Sequence, residues 1–265
     1  MIYICSHCNR TFPAFQLSCP ECGSWNSFKQ QTYSHSHEDA RPIALHKIDS
    51  FVLPRIKTKI GQLDNLLGDG FVMGSSALLI GPPGAGKSTL VMQVLKKMKT
   101  PSLYVTGEES VQQLKVRADR LKVNSKFVYL LFETNVNAIV SHVNEINIKL
   151  LVIDSIQAMY TDTSDALPGG STQIRKCAYI LRRLAQQRDL VLLIVGQITK
   201  DKKSAGPKLL EHAVDVVLSI EVDAVKHNQR ILFASKNRFG STLPRCTFYM
   251  RKSGLVFSQK NNPKG

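Results

Sequence analysis

The sequence predicts an α/β fold: a mostly parallel sheet with crossover helices and antiparallel edge strands, preceded by a small four-cysteine module. Between residues 77 and 195, short apolar runs alternate with stretches of helical period, the pattern of β–α–β units. Between 214 and 257, short β-rich segments follow one another without an intervening helix. Four of the six cysteines fall within the first 22 residues, as two Cys-x₂-Cys pairs.

Composition narrows the function. The 265 residues leave room for one full α/β domain and an appendage. A net charge of +15 points to a polyanionic partner, nucleic acid ahead of an acidic membrane; charge spread evenly for solubility is the alternative. Residues 197–265 favour the first reading, with 13 Lys and Arg against 5 Asp and Glu. No stretch reaches the roughly 18 apolar residues of a membrane span. Residues 1–5 lack the basic start of a secretion signal, so no membrane association and a cytoplasmic location are expected.

Cys5, Cys8, Cys19 and Cys22 open the chain. Two such pairs on short turns can set four thiolates tetrahedrally, about 2.3 Å from a zinc ion (Zn2+). A module of about 25 residues buries too little apolar surface to fold alone, so the metal supplies its folding energy. Two disulfides are the alternative, disfavoured in a reducing compartment. His7 reads as a surface residue, Cys177 and Cys246 as isolated thiols, and Trp25 as packing for the knuckle. The zinc finger is placed at 1–28. The polar, aperiodic stretch 29–47, with His35, His37 and His46, reads as a flexible linker, 48–258 as the α/β domain and 259–265 as a tail.

In that domain a strand over 77–80 runs into Gly81, Pro82, Pro83, Gly84, Ala85, Gly86, Lys87, Ser88 and Thr89, then into an amphipathic helix over 90–97. This is the Gly-x₄-Gly-Lys-Ser/Thr phosphate loop in its strand–turn–helix setting. Backbone N–H groups and the helix N-terminus aim at an anion. Gly81, Gly84 and Gly86 permit positive φ and close approach. Lys87 is placed to reach the β- and γ-phosphates and the Ser88 hydroxyl to ligate Mg2+, so ATP with Mg2+ is the expected ligand.

Further strands are expected over 103–106, 127–131, 150–153 and 191–195, and helices over 111–121, 136–146 and 172–188. Segments 214–220, 230–235, 247–250 and 255–257 extend the sheet as an antiparallel edge. Ligands of such sheets collect at the carboxyl ends of the strands. There Asp154 reads as a Mg2+ ligand through water, with a helix cap as its alternative. Of Glu108 and Glu109, one can orient or deprotonate an attacking water, Glu108 ahead of Glu109, while both are also placed to cap the next helix. Gln197 can hydrogen-bond the γ-phosphate. The loop after it carries Lys200, Lys202, Lys203 and Lys208, candidates for phosphate-backbone contact; this loop and the acidic loop 161–171 both start where nucleotide state could move them, with a solvated surface loop as the default reading of each taken alone. Neither loop has an aromatic ladder, so base stacking is not indicated there.

The cysteine knuckle and segments 103–110, 151–157, 205–212 and 235–240 together resemble the bacterial DNA-repair RadA (Sms) family. The match runs from Cys5 to about Phe257, and 236–240 is its most specific motif. The resemblance implies a RecA-like ATPase core assembled as hexameric rings on single-stranded DNA. It implies ATP-driven branch migration and helicase action on branched recombination intermediates, with a RecA-type recombinase as a partner. It also implies that Lys236 and Arg238 act at a subunit interface, at least one approaching the neighbour's γ-phosphate; a basic strand end on the surface is the alternative. Typical members carry His where this chain has Gln197, which can still donate to a phosphate. They continue into a Lon-protease-like domain that these 265 residues are expected to lack. A nucleotide-gated DNA-binding adaptor that does not translocate is the second expectation.

Overall fold

A computed structural model describes residues 2–8, 10–12, 16–31, 43–47, 52–197 and 210–258. The chain divides into two compact units, Met1–Phe51 and Val52–Gly265. In the first, β1 (Ile2–Cys5) pairs antiparallel with β2 (Thr11–Phe12) and with β3 (Phe28–Gln31), which extends into the stretch read as a linker. Its core is Cys5, Cys19 and Phe28, with the Phe12 ring edge-on to Phe28 at 5.1 Å. Trp25, expected to pack there, is instead 75% exposed, and its backbone bridges Ser18. An interior of sulfurs and phenyl rings is too small to cover an indole as well.

The second unit begins with β4 (Arg55–Ile56), α1 (Gly61–Leu67) and β5 (Phe71–Val72), β4 and β5 forming a ribbon. The main sheet then takes in β6 (Ser76–Gly81), β7 (Ser102–Thr106), β8 (Val128–Phe132), β9 (Leu150–Asp154) and β10 (Val191–Gln197). It is completed by β11 (Val216–Val222), β12 (Gln229–Asn237), β13 (Arg245–Arg251) and β14 (Gly254–Phe257). Its order is β14-β13-β12-β11-β6-β10-β9-β7-β8. Crossovers are made by α2 (Lys87–Met98), α3 (Val111–Arg120), α4 (Val136–Glu145) and α5 (Ser171–Gln187). Neighbours from β11 through β8 run parallel, and β12, β13 and β14 add the antiparallel edge. The edge forms as expected except at its first segment: β11 lies parallel to β6 and belongs to the parallel part.

The central strands are apolar on both faces because both faces are covered. Along β6, Ala77 and Leu79 enter the core with α1, α2 and α3, while Leu78 and Ile80 enter the core with α4 and α5. Along β10, Leu193 and Val195 take the first side and Leu192 and Ile194 the second. Parallel register then brings the strand ends level: Thr106 stands beside Asp154, Asp154 beside Val195, and Gln197 beside Gly81.

Candidate active site

A cavity of about 420 Å³ opens at those strand ends. The phosphate loop borders it through Pro83, Gly84, Gly86, Lys87, Ser88 and Thr89. Thr106, Glu108 and Glu109 after β7, Asp154 after β9 and Gln197 after β10 complete the rim. The structure thus brings Lys87, Ser88, Asp154, both glutamates and Gln197 together.

Gly84 and Gly86 hold φ of +74° and +96°, as expected of the loop. Gly81 does not: it ends β6, and a Cβ there would stand 2.9 Å from the Ile220 carbonyl oxygen. Close approach alone requires glycine at 81. Ala85 is buried, and its N–H donates to the Pro82 carbonyl at 3.2 Å, closing the turn. Lys87 is 8% exposed and donates to the carbonyls of Gly81 (2.8 Å) and Pro82 (3.1 Å). Burial lowers its pKa, against the pull of Asp154 and Glu108.

Asp154 accepts a hydrogen bond from the Tyr104 hydroxyl. Burial and the Asp154 charge raise the Tyr104 phenol well above its ordinary value of 10, so it stays a donor. Asp154 caps nothing: the 3₁₀ turn Ile156–Ala158 is entered through Ser155 without a side-chain cap. Nor do the glutamates cap α3. Ser110 does, its Oγ accepting from the Gln113 N–H at 3.2 Å while Gln113 Oε1 accepts from the Ser110 N–H at 2.8 Å. Glu109 instead pairs with Arg117, and its N–H donates to Thr106 Oγ1 at 3.1 Å. Glu108 is exposed and accepts from the Ser155 hydroxyl. Thr106, Leu114, Arg117, Arg120 and Met250 also line the cavity and were missed. The i, i+3 spacing of Leu114, Arg117 and Arg120 was legible on the helix; Met250 arrives from β13 with no local signal.

A family model described as an AAA domain matches residues 42–203. The chain belongs to this AAA domain family. DNA repair protein RadA of Bacillus subtilis (strain 168) is 40% identical, over 96% of this chain and 58% of its own length. That of Rickettsia bellii (strain RML369-C) is 41% identical, over 96% and 59%. The chain therefore spans less than two thirds of the curated relatives it matches, and the RadA resemblance of its motifs holds across that span. Two solved structures share the fold. A KaiC-like protein from Pyrococcus horikoshii OT3 has a TM-score of 0.64 and 21% identity, covering 78% of this chain and 100% of its own. The RadB recombinase has a TM-score of 0.59 and 21% identity, covering 76% and 98%. The fold is RecA-like.

Beyond the matched segment, Lys236 lies near the end of β12 and Arg238 just after it, and neither lines the cavity. The Lys236 amine donates to the carbonyls of Glu211 (2.8 Å) and Val214 (2.7 Å), and burial, then Arg238, lowers its pKa. Arg238 pairs with Asp215 at 2.9 Å; the same carboxylate accepts from the Ser76 N–H and hydroxyl. Between the two cations, Asn237 donates to the Leu66 carbonyl, and Arg55 donates to that of Phe239. Loop 161–171 is tied down by buried Gln173, whose amide donates to the carbonyls of Thr161 and Ala166. Lys200, Lys202, Lys203 and Lys208 lie outside the described residues. No helix among the described residues is long and apolar enough to cross a membrane.

In the other unit, the sulfurs of Cys5, Cys8, Cys19 and Cys22 lie within 4.8 Å of one another, and none of the four is in a disulfide. Cys5 and Cys22 are 3.6 Å apart, as are Cys8 and Cys19. A tetrahedron with metal–sulfur bonds of about 2.3 Å has edges of about 3.8 Å, so the set fits zinc. The Ser27 hydroxyl beside Cys5 draws that thiol down to about 6, whereas Cys8, against the backbone hydrogen bond from Arg10, is pushed up to about 12 by burial and the neighbouring sulfurs.

Proposed function

We propose that this chain is a DNA-stimulated ATPase that binds single-stranded DNA and promotes branch migration and unwinding of recombination intermediates. The observation that carries it is the meeting of Lys87, Asp154 and Glu108 in one cavity. The relatives named DNA repair protein RadA support the setting. The triphosphate lies along the loop, and Lys87 exchanges the carbonyls of Gly81 and Pro82 for the β- and γ-phosphates. Ser88 and Asp154 would hold Mg2+, which neutralises charge on the transferring phosphoryl group when bound. Glu108 orients the attacking water and takes its proton; Glu109, paired to Arg117, does not compete for that role. Gln197 donates to the γ-phosphate, and Lys236 or Arg238 of a neighbouring copy in a hexameric ring approaches it from outside. The Lys200–Lys208 loop contacts the DNA backbone, the four cysteines hold zinc, and the protein works in the cytoplasm beside a RecA-type recombinase.

One observation favours a nucleotide-gated adaptor instead: Lys236 and Arg238 find their partners within the chain itself. Turnover measured with and without single-stranded DNA tests the first reading. DNA should accelerate the wild type, and Lys87→Ala should lower turnover by about 10²-fold or more. A wild-type rate indifferent to DNA defeats the ATPase reading, and DNA binding without opening of a forked substrate leaves the adaptor.

A further inference from the structure

We infer that the exposed face of α5 is a second contact surface for single-stranded nucleic acid, with Tyr179 as a stacking platform between basic side chains. The inference rests on the DNA-binding reading above but on none of the residues assigned there. Helix α5 contains Arg175, Lys176, Arg182 and Arg183 and no acidic residue. Arg182 turns toward Asp215, at 3.6 Å. Arg175, Tyr179 and Arg183 recur every four residues along one exposed stripe, about 12 Å of helix. Tyr179 is 64% exposed. With Thr163, Arg175, Lys176 and Ile180 it surrounds a hollow of about 410 Å³. Lys176 donates to the Thr163 carbonyl at 3.2 Å and so joins the loop to the helix as one wall of that hollow.

A merely solvated helix face should interleave both signs of charge. Here the helix itself carries cations alone, Arg175 and Lys176 among them, while the loop before it contributes Asp162 and Asp165. The exposed ring selects the anion. A duplex offers phosphates but no free base face, whereas a single strand presents both, so its backbone can follow the cations while a base lies on Tyr179.

The test uses the full chain, a fluorescein-labelled oligothymidylate and anisotropy across a range of salt. Tyr179→Ala should weaken binding roughly 5- to 150-fold with the salt slope unchanged, and Tyr179→Phe should bind as wild type. Arg175→Ala with Arg183→Ala should reduce the slope by about 1.4. Hydrolysis without DNA should stay at the wild-type rate in all three. If the wild type binds and Tyr179→Ala binds equally well, this inference fails while the DNA-binding reading stands. If Tyr179→Ala alters the oligomeric state and leaves DNA affinity untouched, the face belongs to a second copy, and the inference fails. A wild type that binds no oligonucleotide defeats both.

Discussion

The cysteine module and the sheet unit reach a folded state by opposite routes. The module's core is Cys5, Cys19 and Phe28, with Tyr3, Cys8 and Phe12 packed around it. The sheet unit has an apolar layer on each face, in which Leu78, Leu79, Met92 and Phe248 are almost wholly shielded. At about 1.5–3 kcal/mol for each buried apolar side chain, the layers can offset the entropy of ordering their strands, and the module's few cannot. A structural zinc ion held by the four cysteines would contribute about 10–16 kcal/mol at neutral pH, enough to supply what the module's packing lacks. With zinc bound, stability would be divided by chemistry as well as by position along the chain.

Removing the metal puts the largest strain on that contrast. Chelation, or Cys19→Ser, should abolish hydrogen-exchange protection across residues 2–31 and leave the melting of the sheet unit unchanged. Joint loss of both units on chelation would show that the module is not held separately. Inside the sheet unit the contrast recurs between adjacent carboxylates, one exposed on a serine hydroxyl and one in an ion pair. Glu108→Gln should lower kcat about 10²- to 10⁴-fold in single-turnover hydrolysis, and Glu109→Gln less than about tenfold. Equal losses would mean that the two act as a unit. The smallest effect concerns Lys87, whose pKa burial lowers from 10.5. Phosphate favours the ammonium form, so nucleotide binding takes up protons in alkaline buffer and affinity falls a few-fold as pH approaches 10. Calorimetry in buffers of different ionisation enthalpy reads the uptake; its absence would place the amine away from the phosphates.

Much of the fold could be read from the chain because its central strands are apolar on both faces, and such runs stand out against amphipathic helices. The register that levels Thr106, Asp154 and Gln197 was implied only by the general rule for parallel sheets. The cap of α3 was legible as Ser110-x-x-Gln113 and was passed over for the neighbouring glutamates. Trp25 was misplaced because hydrophobicity predicts burial only where there is a core large enough to receive it.

Spacing along the chain was enough for the phosphate loop and the cysteine quartet, since each is assembled within a few dozen residues and its chemistry tolerates little else. Sheet order decided what those residues meet. It set Met250 of β13 against Gly86 and Asp215 against Arg238, while Arg117 pairs with Glu109 at the rim of the cavity. The first of these contacts joins segments far apart in sequence, and the second closes the end of the β11–β12 hairpin; no local period encodes either, because each depends on which strands the sheet places side by side.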